Sequence, residues 1–499
     1  MLLLLVSSFS VKAGEIVVRE GESIYDALRQ AREWRRTNDA RCEGGITIKL
    51  QAGRYYMHEP LFIRPEDSGT ASSPTVIVGE EGTVICGDPR QQHAQVWPQE
   101  GMERMTDFDK TAHTITIPTP PAQVLAMEGL QMVVHQRWAI AILRIKAFDV
   151  QGDKTIVTFK EPESRLEFEH PWPQPVIGGE RGNSSFLIRT TEQRYGVEQL
   201  VILDGASYVT FEGITYEHTC WNRPLQKGHV TLQGGFPLVD AYKLTENQGL
   251  PWDENLENQA WIERPVSAVS ISNACKVGFS GCTFRQLGST AIDFTDSTED
   301  CSVTNCTFED IGGTAIMAGS FAESPQEVHR PYTELAARCN RLHINGNSIH
   351  RVGQEDWGAV AIGCGYVCNA DISGNNISDC PYSAICVGWG WTPHDTGMTN
   401  NHIYNNMIER YACQLYDAGG IYTLSNQPRS SIRNNIISQP FPAPYATNER
   451  AFPIYLDART DGFTITGNRV TSGLAADSRP LRLDEIGDNN PGPNIIFEQ

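Results

Sequence analysis

The chain has 499 residues, of which 40% are hydrophobic and 20% are charged, as in water-soluble globular proteins. Acidic residues outnumber basic ones, giving a formal net charge of −20 and an isoelectric point of about 5.1. This balance argues against a nucleic-acid-binding protein, because binding to phosphates requires a basic surface. It also disfavours strongly anionic polysaccharides, unless a cation or a local basic pocket intervenes.

Residues 1–13 are typical of a secretory signal peptide. A short apolar run, Leu2 to Val6, precedes an A-x-A-like cleavage site formed by Val11, Lys12 and Ala13. We therefore expect a secreted or periplasmic protein. No later apolar segment reaches the length that crosses a membrane, so membrane insertion is not expected.

Residues 14–90 predict an N-terminal cap followed by the first coils of a larger β-structure. The stretch GESIYDALRQAREWRR predicts an amphipathic helix with Ser23 as its N-cap and Asp26 in its first turn. The residues of its apolar stripe are Ile24, Ala27, Leu28, Ala31 and Trp34. Such a helix can cover the open end of a stacked β-core.

Two segments interrupt the strands that follow. Residues 91–194 contain irregularly spaced strands, among them MVVHQRWAIAILRIKAFDV, which predict a small inserted β-domain. Residues 220–265 carry Trp221, Trp252 and Trp261, and a loop of this length in a compact protein usually has a function. We interpret this second segment as a flap over one face of the β-structure, and residues 477–499 as a C-terminal tail.

Residues 195–476 repeat a short pattern about every 30 residues, in which a strand, a small polar turn and a second strand follow one another. The residues at the centres of these turns are Cys282, Cys306, Asn347, Asn375, Asn406, Asn435 and Asn468. Asparagine tolerates turn conformations, and its amide can hydrogen-bond along a ladder of stacked turns. We predict an all-β fold, a right-handed parallel β-helix of the pectin-lyase type, with one repeat in each coil.

The chain has 13 cysteines, and their spacing gives no zinc-binding pattern. Many occupy apolar strand or turn positions, where a thiol packs as a small hydrophobic group. We expect most of them to be free, with one or two disulfides in an exported protein. We predict neither a metal ion nor another cofactor, and we expect a monomer.

Three aspartates lie near the strands that would form one face of the β-helix. Adjacent coils rise about 4.8 Å, so residues one coil apart come into contact. Alignment of the coils on the β-branched residue of each second strand places Asp356 and Asp417 in one column, two coils apart. Asp457 then lies at the other end of its strand, unless YLDA is aligned on LYDA, which brings Asp457 directly over Asp417. The sequence leaves both registers open.

Aromatic and amide side chains surround these acids in the sequence. Flat rings stack on the apolar faces of sugar rings, and carboxyl groups serve as acid, base or nucleophile. We predict that Asp417 and Asp457 are catalytic, and for each the alternative is a role in a tight turn beside glycines. The residues predicted to bind the substrate are Asp356, Glu355, Trp389, Trp391, His394, Tyr422 and Gln427.

The motifs HQRWAIAILRI, PYSAICVGWGW, YDAGGIYTLSNQP and IYLDA resemble those of bacterial right-handed parallel β-helix proteins around glycoside hydrolase family 141. The resemblance covers residues 14–473. It implies α-L-fucosidase or xylanase activity on plant cell-wall glycans, with Asp417 and Asp457 as the catalytic pair. We therefore expect a glycoside hydrolase acting on a neutral or only locally charged sugar. The alternatives are a polysaccharide lyase or epimerase, and a carbohydrate-binding β-helix without catalysis.

Overall fold

The computed structural model describes residues 13–87, 93–191, 196–246, 256–323, 326–327, 338–393, 395–471, 478–480, 486–488, 492 and 494–498. Its body consists of three long sheets, and each coil of the chain passes through sheet 1, sheet 2 and sheet 3 in turn. Strands of successive coils pair in parallel, apart from the final strand of sheet 2. The fold is therefore a parallel β-helix, which confirms the fold predicted from the repeats.

Neighbouring strands in each sheet come from successive coils, and the counts below are those of the described residues. Sheet 1 has 12 strands: Gly14–Val18, Ile46–Leu50, Thr75–Gly79, Ser207–Glu212, Cys275–Ser280, Ser302–Thr304, His343–Asn345, Asp371–Ser373, His402–Tyr404, Asn426–Arg433, Asp461–Thr466 and Ile496–Glu498. Sheet 2 has 11: Gly53–Tyr56, Thr83–Cys86, Thr215–Glu217, Thr283–Leu287, Thr307–Ile311, Ser348–His350, Asn376–Ser378, Met407–Glu409, Ile436–Ser438, Arg469–Thr471 and Ser478–Pro480. Sheet 3 has 10: Leu61–Ile63, Val201–Asp204, Ser267–Ser272, Thr290–Phe294, Ile316–Ala318, Ile362–Cys364, Ile385–Val387, Ala418–Thr423, Ala451–Leu456 and Ile486–Asp488. The β-helix thus continues beyond residue 476.

The helix Ile24–Arg36 packs beside the first strand of sheet 1, at one end of the β-helix. The Ser23 hydroxyl accepts a hydrogen bond from the amide of Asp26 (3.2 Å), so Ser23 is the N-cap. The five apolar residues of its predicted stripe are all buried. This helix therefore covers the end of the core, as its sequence indicated. No helix in the described ranges is both long and apolar enough to span a membrane.

The alternation of sheet 3 determines which residues reach its outer face. Five buried isoleucines occupy one column of the sheet: Ile316, Ile362, Ile385, Ile421 and Ile454. Successive side chains of a strand point to opposite faces, so the next residue of each strand points away from this column. Tyr422 and Tyr455, which follow Ile421 and Ile454, are neighbours in that outer column and pair directly.

The predicted shared column of Asp356 and Asp417 is wrong. The sequence alignment took Val360 as the reference residue of its strand, which places Asp356 four residues before it. In the structure, the residue of this strand that pairs with Ile385 is Ile362. Asp356 therefore lies six residues before that position. A register shift of two residues leaves the inward and outward alternation unchanged, so a pattern with period two cannot detect it.

The predicted asparagine ladder is confirmed. Each of Asn347, Asn375, Asn406 and Asn435 donates a side-chain hydrogen bond of 2.9 Å to the amide oxygen of the next member, ending at Asn468. The same oxygens accept the backbone amide of the preceding member at 3.0 Å. All five side chains are buried. The ladder therefore fixes successive turns between sheet 1 and sheet 2 in one line.

Replacing Asn375 with leucine should destabilise the protein. The change removes the acceptor of Asn347 and a donor to both Asn406 and the carbonyl of Ile344. Each buried group left unpaired costs about 1–3 kcal/mol, so we expect a clear fall in the melting temperature measured by circular dichroism. Asn376→Leu is the matched control, because the side chain of Asn376 is exposed. Equal melting temperatures for the two variants would contradict a stabilising ladder.

Both long excursions of the chain leave the β-helix between sheet 2 and sheet 3. The insertion forms a nine-stranded sheet with Glu163–Glu169 and Ala122–Leu125 as helices. Its main path, in pairing order, is His93–Trp97, Ser185–Thr191, Gln131–His135, Ile140–Gln151, Lys154–Phe159, Thr114–Pro118 and Asp107–Asp109, with Glu103–Arg104 and His229–Val230 at its sides. The hairpin of Gln131–His135 and Ile140–Gln151 points its tip, residues 136–139, at the β-helix: Tyr416 donates its amide to the carbonyl of Arg137 (3.1 Å).

The flap follows Thr215–Glu217 and contributes His229–Val230 to the sheet of the insertion. Its elements are the helix Arg223–Lys227, a tight hairpin at residues 231–237 and the paired strands Leu238–Glu246 and Leu256–Ile262, which continue into Gln326–Glu327 and Ala322–Glu323. Other short elements are the 3-10 turns Ala40–Cys42 and Pro65–Asp67 and the strand pair Cys339–Asn340 and Val367–Cys368. Trp221 is buried and Trp261 is 36% exposed, whereas Trp252 lies outside the described residues. The insertion and the flap together enclose one part of sheet 3.

Candidate active site

Asp417 lies where the chain enters sheet 3, immediately before the strand Ala418–Thr423. Its backbone is left-handed, with φ 61°, a conformation that aspartate adopts more readily than most residues. Its Oδ1 accepts a hydrogen bond from the Tyr455 hydroxyl (3.0 Å) and lies 3.1 Å from Nε of Arg450. A hydroxyl and a guanidinium, both from the following coil, therefore hold this carboxyl group.

Asp457 follows the next strand of sheet 3 and is 7% exposed. Its Oδ2 accepts a hydrogen bond from the Tyr422 hydroxyl, and its Oδ1 accepts the amide of Ala458 at 2.7 Å. Its own amide donates to the carbonyl of Thr423 (3.0 Å), which fixes it at the carboxyl end of the strand. Both side-chain oxygens of Asp457 therefore act as hydrogen-bond acceptors.

The pairing of Tyr422 with Tyr455 places Asp417 and Asp457 at opposite ends of the two strands. The register with Asp457 directly over Asp417 is therefore wrong, and Arg450 is the residue beside Asp417 in the next coil. The two aspartates are nevertheless linked, because each is bound by the tyrosine of the other coil. The two tyrosine rings meet edge to face, with centroids 5.1 Å apart. We call these four residues the tyrosine-bridged pair.

The surroundings of Asp417 favour the protonated form of its carboxyl group. Burial raises the pKa of Asp417, and the charge of Asp457 raises it further, although Arg450, Tyr455 and Arg137 act in the opposite direction. A carboxyl group with a raised pKa retains its proton to higher pH, as a proton donor must. Burial also raises the pKa of Tyr422 and the pKa of Tyr455, so both hydroxyls stay neutral and can donate.

The segment that carries Asp417 contacts all three parts of the molecule. Arg137 is exposed at the tip of the insertion hairpin, and its carbonyl accepts the amide of Tyr416. The Tyr382 hydroxyl donates to the backbone carbonyl of Asp417 (3.0 Å) and accepts a bond from Gln233 of the flap (3.0 Å). Movement of the insertion or of the flap would therefore displace the backbone that carries this carboxyl group.

The two predicted tryptophans have different environments. Trp389 is 4% exposed and packs against two flap-side rings, Phe236 at 5.5 Å and Phe321 at 5.2 Å between centroids. Trp391 is half-buried and packs against Tyr422 and its neighbours, next to the tyrosine-bridged pair. Trp391 is thus the more accessible ring beside the carboxyl groups, while Trp389 supports the flap.

Glu355 and Asp356 point into different surroundings from Asp417. Glu355 lies 3.0 Å from Nε2 of His93 and 3.1 Å from Arg189, both in the insertion. Asp356 accepts a hydrogen bond from Nε2 of His229 in the flap (2.8 Å). Glu355 therefore attaches the insertion to the β-helix, and Asp356 belongs to a separate cavity under the flap.

Gln427 is fully buried and makes only internal hydrogen bonds. Its amide nitrogen donates to the carbonyls of Val387 and Leu424 (both 2.9 Å), and its oxygen accepts a bond from Asn401 (3.0 Å). This pattern fixes the turn after the strand Ala418–Thr423. His394 lies outside the described residues.

Sequence reasoning missed Tyr455, Tyr382, Arg450 and Arg137. Tyr455 could have been found, because Ile-Tyr recurs at the same coil position in GGIYT and PIYLD. Arg450 depends on the register of two strands, and Arg137 depends on how the insertion docks. Neither leaves a signal in a single sequence.

A small apolar cavity of about 30 Å³ lies beside the tyrosine-bridged pair. Tyr382, Tyr422, Trp389 and Leu424 are among the residues in its wall. Tyr422 connects the cavity directly to Asp457 through its hydroxyl. A ligand bound against the carboxyl groups would therefore meet apolar surface on this side.

Only one cluster with metal-like ligands occurs within the described part of the chain, formed by Cys86, Glu217 and His218. Both oxygens of Glu217 are already engaged, one by Arg54 and one by Arg285. Positive guanidinium groups at this position disfavour a cation. The cluster fits an ion-pair network better than a metal site.

The comparisons with known proteins agree with this architecture. A family profile described as "GH141 insertion domain" matches residues 89–195. A solved structure described as "Glycoside hydrolase" is 31% identical to this chain, covers 97% of it and 96% of its own length, and superposes with a TM-score of 0.88. No match was found among the curated proteins.

Two more distant solved structures are an alginate lyase from Paenibacillus sp. str. FPU-7 and a GH136 lacto-N-biosidase from Eubacterium ramulus. The lyase is 10% identical, covers 95% of this chain and 99% of its own, and has a TM-score of 0.39. The lacto-N-biosidase is 11% identical, covers 97% and 68%, and has a TM-score of 0.37. Scores this low carry no inference about this chain.

Proposed function

Because the chain belongs to the parallel β-helix glycoside hydrolases related to family 141, we propose that Asp417 and Asp457 are the carboxyl pair that cleaves its glycosidic bond. The observation that carries the proposal is the tyrosine-bridged pair itself. A half-buried carboxyl group, Asp417, and a buried one, Asp457, are held in different environments by reciprocal tyrosine hydroxyls. The segment of Asp417 also contacts both the insertion and the flap.

The two carboxyl groups take different roles in this proposal. Asp417, whose pKa is raised by burial and by Asp457, protonates the leaving oxygen of the glycosidic bond. Asp457, whose oxygens accept two hydrogen bonds, attacks the anomeric carbon or activates water. Trp391 provides a ring face for the sugar, and Arg137, exposed at the tip of the insertion hairpin, adjoins the segment that carries Asp417.

The apolar cavity beside Tyr422 supports a 6-deoxy sugar as substrate, so we favour α-L-fucosidase over xylanase activity. A volume of about 30 Å³ with apolar walls suits the methyl group at C6 of fucose. Xylose carries no carbon at that position and would leave the cavity empty. With fucose bound, the ring of Trp391 would stack on the sugar and Leu424 would contact its methyl group.

The proposal is tested by hydrolysis of nitrophenyl glycosides and of neutral plant and algal polysaccharides. We expect release of nitrophenol from the α-L-fucoside in preference to the β-D-xyloside. We also expect the α-L-fucoside to be cleaved about 10–100-fold faster than the α-L-galactoside, which carries a hydroxyl at C6. An unsaturated product absorbing in the ultraviolet would instead indicate a lyase, and binding without any product would indicate a non-catalytic protein.

Arg450→Gln should shift the pH dependence of the reaction. Arg450 lowers the pKa of Asp417, so its removal raises that pKa, and a proton donor stays active below its pKa. We therefore expect the alkaline limb of kcat/KM to move to higher pH. Arg410→Gln is the control, because Arg410 forms an exposed ion pair with Asp379 elsewhere on the β-helix. An alkaline limb that stays in place, or moves to lower pH, would contradict the role of Asp417 as the acid.

A further inference from the structure

A second, larger cavity of about 200 Å³ lies under the flap, beside sheet 3. The flap contributes Arg223 and His229 to its wall, and the β-helix contributes Thr290 and Asp356. It adjoins the small apolar cavity at Gly234, at the tip of the flap hairpin, which lines both. The carboxyl groups of Asp417 and Asp457 do not line it, so it is a separate site.

Three buried polar atoms in the residues of this wall have no hydrogen-bond partner among the described residues. They are Nδ1 of His229, Nε of Arg223 and Oγ1 of Thr290. Buried polar groups are nearly always satisfied in folded proteins, so three orphans around one cavity indicate a missing partner. Within the same described ranges, the wall of the small apolar cavity has one such atom, Nε1 of Trp389.

The orphan atoms form a complementary pattern of donors and acceptors. His229 donates its Nε2–H to Asp356 (2.8 Å), which leaves a lone pair on Nδ1. Burial lowers the pKa of His229, although Asp356 opposes this, so the ring stays neutral and Nδ1 accepts. Nε of Arg223 can only donate, and the Thr290 hydroxyl can do both. A ligand hydroxyl can satisfy any of the three.

Charge pairing in the wall disfavours an anion. Arg223 and Lys227 both bind Glu263, the lysine at 3.2 Å. Arg264 binds Asp293 through two bonds of 2.5 and 2.6 Å. The wall also contains Glu198 and Asp356, so these three cations face four carboxyl groups and leave no excess of positive charge for an anion.

A metal ion is disfavoured for a different reason. Within the part of the chain that the structure describes, the atoms of this wall form no group of three close ligands. A neutral ligand with several hydroxyl groups remains, and the cavity has room for about one sugar ring.

We propose that this cavity binds one neutral monosaccharide unit through His229, Arg223 and Thr290. Given the proposed function, that unit is a second sugar of the same glycan, held on the far side of the flap hairpin from the bond that is cleaved. The enzyme would then select a branched or extended glycan rather than an isolated glycoside. The binding site itself does not depend on which bond is hydrolysed.

Saturation-transfer difference NMR tests the site without any hydrolysis. The probes are D-glucose, D-galactose, D-mannose, D-xylose, L-arabinose and L-fucose at millimolar concentration. We expect at least one sugar to bind the wild-type protein, and Thr290→Val and Arg223→Lys each to weaken that binding at least about fivefold, as expected for one lost hydrogen bond. Thr283→Val on sheet 2 is the matched control and should leave binding unchanged.

Two further measurements keep the outcome decisive. Thr290→Val should not lower the melting temperature, because the hydroxyl has no partner in the described structure; a clear fall would contradict the orphan assignment. Trp391→Ala reports on binding beside the catalytic carboxyl groups. Absence of binding by all six sugars, or binding that weakens with Trp391→Ala but not with Thr290→Val, would overturn the proposal. Neither result bears on the proposed hydrolysis, which is tested separately by product release from the glycosides.

Discussion

Asp417→Asn is expected to lower kcat at least about a hundredfold, the scale of lost general acid catalysis. The loss should depend on the leaving group. A dinitrophenyl glycoside needs little protonation, so its hydrolysis should suffer much less than that of an unactivated oligosaccharide. The measurement is kcat for both substrates with the wild-type and variant proteins.

The fold should survive this substitution, because asparagine also tolerates the left-handed backbone at position 417. Asp379→Asn is the matched control: Asp379 is likewise left-handed and paired with an arginine, but on the outer surface. Wild-type turnover in Asp417→Asn would refute the site. An equal loss for both leaving groups would remove the role of proton donor.

Asp457→Asn should also lower kcat at least about a hundredfold, and here both substrates should suffer alike. The substitution removes the group that attacks the anomeric carbon or activates water, which activated leaving groups cannot replace. It also removes a charge that raises the pKa of Asp417, so any residual alkaline limb should move to lower pH.

Asp371→Asn is the matched control for this variant, because Asp371 also accepts a tyrosine hydroxyl, from Tyr404 at 2.9 Å, but on sheet 1. Near-wild-type turnover in Asp457→Asn together with an inactive Asp356→Asn would transfer the role to Asp356. That result would move the reaction into the cavity under the flap.

The repeats of the sequence predict the β-helix because one physical requirement recurs in every coil. Each coil needs a tight turn whose polar groups are satisfied by its neighbours, and buried asparagines such as Asn375 and Asn406 meet it. The N-terminal helix is equally readable, since Ser23 and the apolar stripe act within one element. Local and periodic features of this kind leave a signal in a single chain.

Registers between coils are harder to predict. The alternation of side chains along a strand is unchanged when the strand slips by two residues. For this reason the alignment took Val360 as its reference residue instead of Ile362, and placed Asp356 two residues too close to the strand. Asp457 is ambiguous for a related reason: the irregular segment before it hides the pairing that aligns Tyr422 with Tyr455. The site residues that depend on docking of the insertion, above all Arg137, lie beyond any periodic argument.

Burial also separates the predicted site residues in a way that composition does not show. Two tryptophans two residues apart look equivalent as sugar platforms, yet Trp389 is covered by Phe236 of the flap and Trp391 is not buried to the same degree. Gln427, a polar residue beside the strand of Asp417, forms its hydrogen bonds with the backbone and with Asn401. In both cases, contacts between residues far apart in the sequence determine whether the side chain can reach a substrate.

The most direct test of the proposed catalytic pair compares Asp417→Asn, Asp457→Asn and the double variant on one substrate. Two carboxyl groups that act on the same bond form a catalytic unit, and the effects of such residues are not additive. We predict that the double variant loses little more kcat than the more damaged single variant, about a hundredfold or somewhat more. If the two losses multiplied, to about ten-thousandfold, the aspartates would act independently and the tyrosine-bridged pair would not be the catalytic unit.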